Sequence, residues 1–200
     1  VATEVFGVSG AAAMYRRSFL EDVAIGGEVF DVDFFSYRED ADLSWRGQLF
    51  GWRALYVPDA VAHHVRRVTP ERRRELPAFI NMHSVKNRFL LRLKNEGVLL
   101  AIRNAPFELA RDFVTIAAVL TVERSSLPAL AWLWRNRRRV MEKRRAVQQR
   151  RQDLQAQVSV RLLVRGRALG EPEREQRKAE RAHVGEHVGG VRQQREGIRK

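Results

Sequence analysis

The hydrophobic pattern of this chain changes at Pro70, and that change most limits the folds open to it. Between Glu71 and Glu96, apolar and small polar residues recur at three- and four-residue spacing, which predicts one long amphipathic helix. The stripe consists of Leu76, Phe79, Ile80, His83, Asn87, Leu90, Leu91 and Lys94. Before Pro70 the periodicity is mixed, so we expect a unit of strands and helices followed by helices alone.

The segments before Pro70 alternate between strand-like and helix-like patterns. Glu39–Phe50 reads as a short helix, with acidic residues in its first turn and Gly51 ending it. Strands are predicted at Val5–Val8, Trp52–Val57 and Val61–Val65, with Pro58-Asp59 as the turn between the last two, and Ala11–Val23 is predicted to be mostly helical. This alternation predicts an α/β fold class.

The residues after 96 are predicted to form two apolar helices and a basic segment. One helix is expected at 106–122, with Pro106 as its first residue, and another at 127–134. Residues 135–151 carry nine Lys or Arg against Glu142, a net charge of +8. No stretch reaches the roughly 18 to 20 apolar residues that a membrane-spanning helix needs.

The net charge of +13 calls for an anionic partner. Apolar helices followed by a basic run fit a segment lying on an anionic membrane surface. The alternative is that these helices cap the domain or form a dimer contact. Nucleic acid is disfavoured, since no aromatic residues lie between the cations of 135–151. The absence of cysteine excludes disulfides and thiolate metal sites.

Composition divides the chain into three parts. Residues 1–95 are expected to form the α/β domain, and 96–151 the membrane-surface helices. Residues 152–200 contain no aromatic residue and no sustained apolar stripe, which predicts a disordered basic tail. The alternative is a tail unrelated to the rest of the chain. The chain opens in what reads as a strand already under way, so we expect an N-terminal half to precede it.

Several ordered motifs carry the chemistry. They are Gly10-Ala11-Ala12-Ala13-Met14-Tyr15-Arg16-Arg17, then Tyr37-Arg38-Glu39-Asp40-Ala41-Asp42-Leu43-Ser44-Trp45-Arg46, then Gly51-Trp52 and His64. In this order they resemble the acceptor half of family 2 glycosyltransferases of the rhamnosyltransferase-like branch, over roughly residues 5 to 95. Each motif alone is weak, and the ordered set is far more specific.

This resemblance implies a partial domain of the GT-A (nucleotide-diphospho-sugar transferase) type in an inverting glycosyltransferase. Asp40 would be the general base, and Glu39 would contact the acceptor or orient the base. The resemblance also implies a set of acceptor-binding residues and a ligand of Mg²⁺ or Mn²⁺. The acceptor-binding residues would be Gly10, Ala11, Tyr37, Asp42, Arg46 and Trp52, and the metal ligand would be His64. We expect Asp40 to face His64 across an open cleft.

Structural roles compete with these assignments. The acidic residues could simply favour the first turn of a helix, Gly10 and the alanines could allow close packing, and Trp52 could be core. His63 and His64 are adjacent on a predicted strand and would point to opposite faces, so only His64 is chosen as ligand. Asp31-Val32-Asp33 has the letters of a metal-binding Asp-x-Asp motif, but its position in the acceptor region makes the match coincidental.

The resulting hypothesis is an enzyme at the inner face of the plasma membrane, cytoplasmic and peripheral. It would transfer a hexose or deoxyhexose, such as rhamnose, from a nucleoside diphosphate to a polysaccharide, for example of the cell wall, or to a lipid-linked glycan. Without the half that binds the donor, the chain is expected to be inactive. The alternative is a basic membrane- or RNA-binding adaptor without catalysis.

Overall fold

The computed structural model describes residues 1–64 and 77–159, and it divides the chain into two compact units, Val1–Gln152 and Asp153–Lys200. The described part is mostly helical, with one small sheet, so the predicted mixture of helix and strand is confirmed only in this coarse sense. In the second unit residues 153–159 are helical. Gln152 is helical as well, so the predicted disorder is wrong for residues 152–159. Residues 160–200 lie outside the described residues.

The sheet has two antiparallel strands, β1 (Thr3–Val5) and β2 (Ala54–Tyr56), with Thr3 opposite Tyr56. The predicted pairing of Trp52–Val57 with Val61–Val65 is wrong, because residues 61–64 form no strand and Val65 lies outside the described residues. β2 instead pairs with the N-terminal segment. Arg53 Nε donates to Glu4 Oε2 at 2.7 Å, an ion pair that supports this register.

Two helices lie between the strands, α1 (Arg17–Val23) and α2 (Glu39–Leu49). The bounds of α2 confirm the predicted helix, and Gly51 ends it at φ +86°, a conformation that glycine adopts without strain. The helix predicted from Ala11 begins only at Arg17. A Cβ on Gly47 would lie 2.8 Å from the ring of Phe19, so glycine lets the two helices pack closely.

Three helices and a basic helical segment follow. They are α3 (Ala78–Asn95), α4 (Val98–Thr121) and α5 (Leu127–Arg135), and then residues 137–152 of the first unit are helical. Pro106 does not begin a helix as predicted but lies inside α4. A proline there removes the hydrogen bond to the carbonyl of Ile102, and both residues lie on the exposed side of the helix. The part of the predicted helix at 71–76 lies outside the described residues.

Helix α3 is central to the core. Its Leu90 packs in one buried cluster with Phe34 and Val140, and its Val85 packs in another with Val119 and Ala129. The first cluster joins the segment before α2 to the basic segment 137–152, and the second joins α3 to α4 and α5. The core of the first unit thus reaches well beyond residue 95.

A buried network of charged groups accompanies the first cluster. Lys94 Nζ lies 2.7 Å from Asp31 Oδ2 and 2.7 Å from Asp42 Oδ2, and Arg46 Nε donates to Asp42 Oδ2 at 3.0 Å. Lys143 Nζ lies 2.5 Å from the other oxygen of Asp31. Buried charges are tolerated when they are paired in this way, and removing one partner of such a pair typically costs about 3–5 kcal/mol.

Asp31 is nearly inaccessible to water, and its pKa reflects two opposing effects. Burial raises the pKa of this carboxyl. The positive charge of Lys94 and the hydrogen bonds from Lys143 and Lys94 lower the pKa by more than burial raises it, so its value in the folded protein is about 2. In the unfolded chain it would titrate near 3.8. The charged carboxylate therefore favours the folded state.

Acidification should weaken the fold through Asp31. Its folded pKa lies below its unfolded pKa, so its contribution is fully present above about pH 4 and is lost as the pH falls towards about 2; it amounts to roughly 2 kcal/mol. Urea unfolding at a series of pH values should show this loss. Asp31→Asn should flatten the slope between pH 4 and 2, and equal slopes in the two proteins would contradict the assignment.

Candidate functional site

The segment before α2 has an unusual backbone. Phe35, Tyr37 and Arg38 have φ of 60°, 68° and 67°, in the left-handed region that residues other than glycine seldom adopt. Asn87, fully buried on α3, places its Nδ2 within 2.9, 2.6 and 2.7 Å of the carbonyl oxygens of Phe34, Ser36 and Tyr37. Such strained segments, held by their surroundings, occur preferentially at functional sites.

This segment leads directly into Glu39 and Asp40, the first residues of α2. Asp40 is half-buried, and its Oδ2 accepts a hydrogen bond from the backbone N–H of Gly10 at 2.9 Å. A Cβ on Gly10 would lie 3.5 Å from Asp40 Cβ, an ordinary contact distance. Close packing therefore does not require glycine at position 10, and the contact that matters is made by its amide.

Tyr15 lies beside these two carboxylates. Burial raises the pKa of its phenol, and the negative charges of Asp40 and Glu39 raise it further. The buried oxygens Tyr15 Oη and Glu39 Oε2 have no hydrogen-bond partner within the described ranges. A phenol that stays protonated and two carboxylates thus share one small region, as acid–base chemistry requires.

Tyr15 is also one of the residues that line a groove of about 620 Å³, to which Phe6, Phe19 and Trp52 contribute further aromatic rings. The ring of Tyr15 stacks on Phe19, with centroids 5.6 Å apart, and Phe19 meets Trp52 edge to face at 5.5 Å. Trp52 Nε1 donates to Asp22 Oδ2 at 2.7 Å, which fixes the indole. Trp52, predicted to bind acceptor, is half-buried and lines this groove together with Gly47, Gln48 and Leu55.

The other residues predicted to bind the acceptor differ in their exposure to solvent. Ala11 is exposed in the Gly10 loop, and Tyr37 is half-buried in the strained segment. The prediction that Asp42 and Arg46 bind the acceptor is wrong in this structure. Both side chains are buried in the ionic network, and Arg46 also donates to the carbonyls of Val23 and Val29. Neither side chain has surface left for an acceptor, so their role in this structure is to hold α2 in place.

The predicted metal ligand His64 is exposed at the end of the first described range. His63 and His64 are not on a strand, so the argument from alternating faces does not distinguish them. Within residues 1–64 and 77–159 no group of three or more acidic or histidine side chains could hold a metal ion. Asp31 pairs with Lys94 and Lys143, and Asp33 pairs with Lys143 and Arg139.

Sequence reasoning assigned no role to Asn87, Lys94 or Tyr15, although each carried a signal. Asn87 and Lys94 are polar residues in the apolar stripe of α3, and a polar residue at a core position usually has a specific partner. Tyr15 stands inside the Gly10–Arg17 motif. The polar partners of Asn87 and Lys94, and the carboxylates beside Tyr15, are more than twenty residues away in sequence, so the signals could not be interpreted without the fold.

Comparison of this chain with protein-family models, with curated proteins and with solved structures finds no match.

The strain at Arg38 can be measured with a pair of substitutions. Arg38→Gly should be more stable than Arg38→Ala by about 1 kcal/mol, because only glycine adopts positive φ without steric cost. Urea unfolding of both variants measures the difference. At Arg145, exposed in a helical segment, the order should reverse, with alanine more stable by about 1 kcal/mol. The same order at both positions would contradict the strained geometry.

Proposed function

We propose that this chain is the acceptor-side part of an inverting glycosyltransferase of the GT-A type, similar to family 2. The observation that carries the proposal is the position of Asp40. It is a half-buried carboxylate at the first turn of α2 that accepts a hydrogen bond from the Gly10 amide. Its charge acts on Tyr15, which lines the aromatic groove, while Asp40 itself is not among the residues lining it. Residues of the ordered motifs support it in two contacts: Gly10 binds Asp40 through its amide, and Tyr15 lies beside Asp40 and Glu39 and lines the groove together with Trp52.

The proposed reaction is one in-line displacement. The acceptor hydroxyl oxygen forms a bond to the anomeric carbon of the donor sugar, while the bond from that carbon to the diphosphate oxygen breaks. Asp40 accepts the proton of the hydroxyl as the new bond forms. Glu39 and the protonated Tyr15 orient the acceptor, and the groove with Trp52 binds the attached glycan.

Family resemblance also implies a divalent cation at the donor diphosphate, with His64 among its ligands. The described residues do not themselves make up such a site. No step of the proposed mechanism is assigned to the metal, and the role of His64 stays a prediction.

Asp40→Asn should abolish sugar transfer in the protein extended by the sequence encoded upstream of Val1. The amide cannot accept the hydroxyl proton, so kcat should fall at least about 100-fold while donor binding is kept. Transfer of radiolabelled sugar and titration with the nucleoside diphosphate measure the two effects. The matched control is Asp59→Asn, an exposed carboxylate in the segment after β2, which should retain activity. Full activity of Asp40→Asn would remove this residue from the role of base.

We further propose that the enzyme works on an anionic membrane surface. The outer face of α4 exposes many large apolar side chains, among them Ile102, Phe107 (81%) and Phe113 (74%). Exposed apolar surface on this scale marks an interaction site. Within the described residues no single helix is long and apolar enough to cross a bilayer; Val98–Thr121 and Arg124–Arg135 reach that length and apolarity only together, across a bend of 108°.

The basic segment contributes less charge to this surface than the sequence suggests. Arg139, Lys143 and Arg150 pair with carboxylates of residues 22–33, so part of the +8 charge is offset by ion pairs within the protein, although Arg139 and Arg150 remain about half exposed. Arg135, Arg138 and Arg145 remain exposed. Such residues add about 1 kcal/mol each near an acidic leaflet.

Vesicle binding distinguishes this proposal from an RNA-binding adaptor. The chain should co-sediment with phosphatidylglycerol vesicles and bind neutral vesicles at least tenfold more weakly. Ile102→Asp with Phe113→Asp should reduce vesicle binding at least tenfold, because charge is costly in the bilayer interface. The control is Val61→Asp, at an exposed apolar residue outside α4. Equal affinity for RNA, falling steeply with salt, would favour the adaptor.

A further inference from the structure

Three aromatic rings form an exposed cluster beside the strained segment. The ring of Phe35 stacks on His83 with centroids 5.1 Å apart, and Phe79 meets Phe35 at 5.8 Å and His83 at 5.4 Å, both edge to face. Phe35 is 70% exposed and Phe79 is 51% exposed. Burying an aromatic side chain is worth about 2–3 kcal/mol, so two touching rings left in water call for an explanation.

The backbone holds Phe35 in this position at an energetic cost. Its φ of 60° is a genuine outlier for a bulky residue, and Asn87 fixes the carbonyls on either side of it. Phe35 also lies on the segment that leads to Asp40. Five residues of chain span at most about 18 Å, so the ring cluster is within the length of a short oligosaccharide from the proposed base.

From this arrangement we propose that Phe35, Phe79 and His83 form a platform for a neutral pyranose of the acceptor glycan, one or more units away from the sugar that is extended. One face of a pyranose presents C–H groups with partial positive charge, which pack on the negative face of an aromatic ring. This assignment rests on the proposed function, because it names where the acceptor of that reaction is held.

The charge of the platform favours an uncharged ligand. Burial lowers the pKa of His83, and the nearby charge of Lys86 lowers it further, so the imidazole is neutral at neutral pH. The ring faces are therefore uncharged, and the nearby Lys86 is buried, with its ammonium donating to the carbonyl oxygen of Asp33. A nucleobase could also stack on such rings, and it is treated as a competing outcome in the test.

Binding of methyl glycosides of neutral hexoses and 6-deoxyhexoses to the 200-residue chain, followed by saturation-transfer NMR, tests the proposal. Phe35→Ala and Phe79→Ala should each weaken binding about tenfold. The control is Phe107→Ala, at an exposed phenylalanine on α4, which should change binding less than twofold. Circular dichroism verifies folding, and Phe35→Leu and Phe79→Leu, which keep apolar volume but remove the ring, should show the same loss.

Three results would overturn the platform: no glycoside binding, binding indifferent to both rings, or ring-dependent binding of uridine monophosphate in preference to glycosides. Failure of the platform and failure of the proposed function are separable. If transfer in the extended protein depends on Asp40 but its acceptor KM does not respond to Phe35→Leu or Phe79→Leu, the platform is wrong and the enzyme assignment stands.

Discussion

The pairing of Lys94 with Asp31 and Asp42 is the interaction on which the rest of the first unit depends. One ammonium group on α3 is shared by a carboxylate from the segment before α2 and another from α2 itself, and all three are almost wholly shielded from water. Any displacement of α2 from α3 would leave charge unpaired in a region of low dielectric, which is costly. The relative position of the two helices is therefore sharply defined.

The fixed position of α2 against α3 makes the strained segment before α2 possible. The carbonyls of residues 34, 36 and 37 can be held by Asn87 only if α3 lies at the correct depth beside them, and Asn87 is two turns from Lys94 on the same helix. The three residues with positive φ are stable because the core on one side and the ionic network on the other leave no relaxed alternative. Asp40 and the ring of Phe35 are both presented by this segment, so the proposed base and the proposed platform depend on the same support.

The basic segment 137–152 has two roles that its composition does not separate. Val140 and Val147 are buried, and Lys143 joins the ionic network, so one side of the helix completes the core of the unit. Arg138 and Arg145 are exposed and are available to an anionic partner. The number of Lys and Arg residues in the sequence therefore overstates the charge available to an anionic partner. It also does not reveal that this helix forms part of the core.

The sequence alone determined those helices whose positions are set by residues within or next to them. The 3.6-residue stripe placed α3, the acidic first turn and Gly51 bounded α2, and the apolar run after Ser126 placed α5, because each signal acts within a few residues. Tertiary structure decided the rest. The partner of β2, the continuation of α4 through Pro106, the burial of Asp42 and Arg46, and the meeting of Phe35 with Phe79 and His83 all depend on residues distant in sequence. Burial and charge pairing act through space, so the same carboxylate pattern can place Asp40 at a surface and Asp42 in the core two residues later.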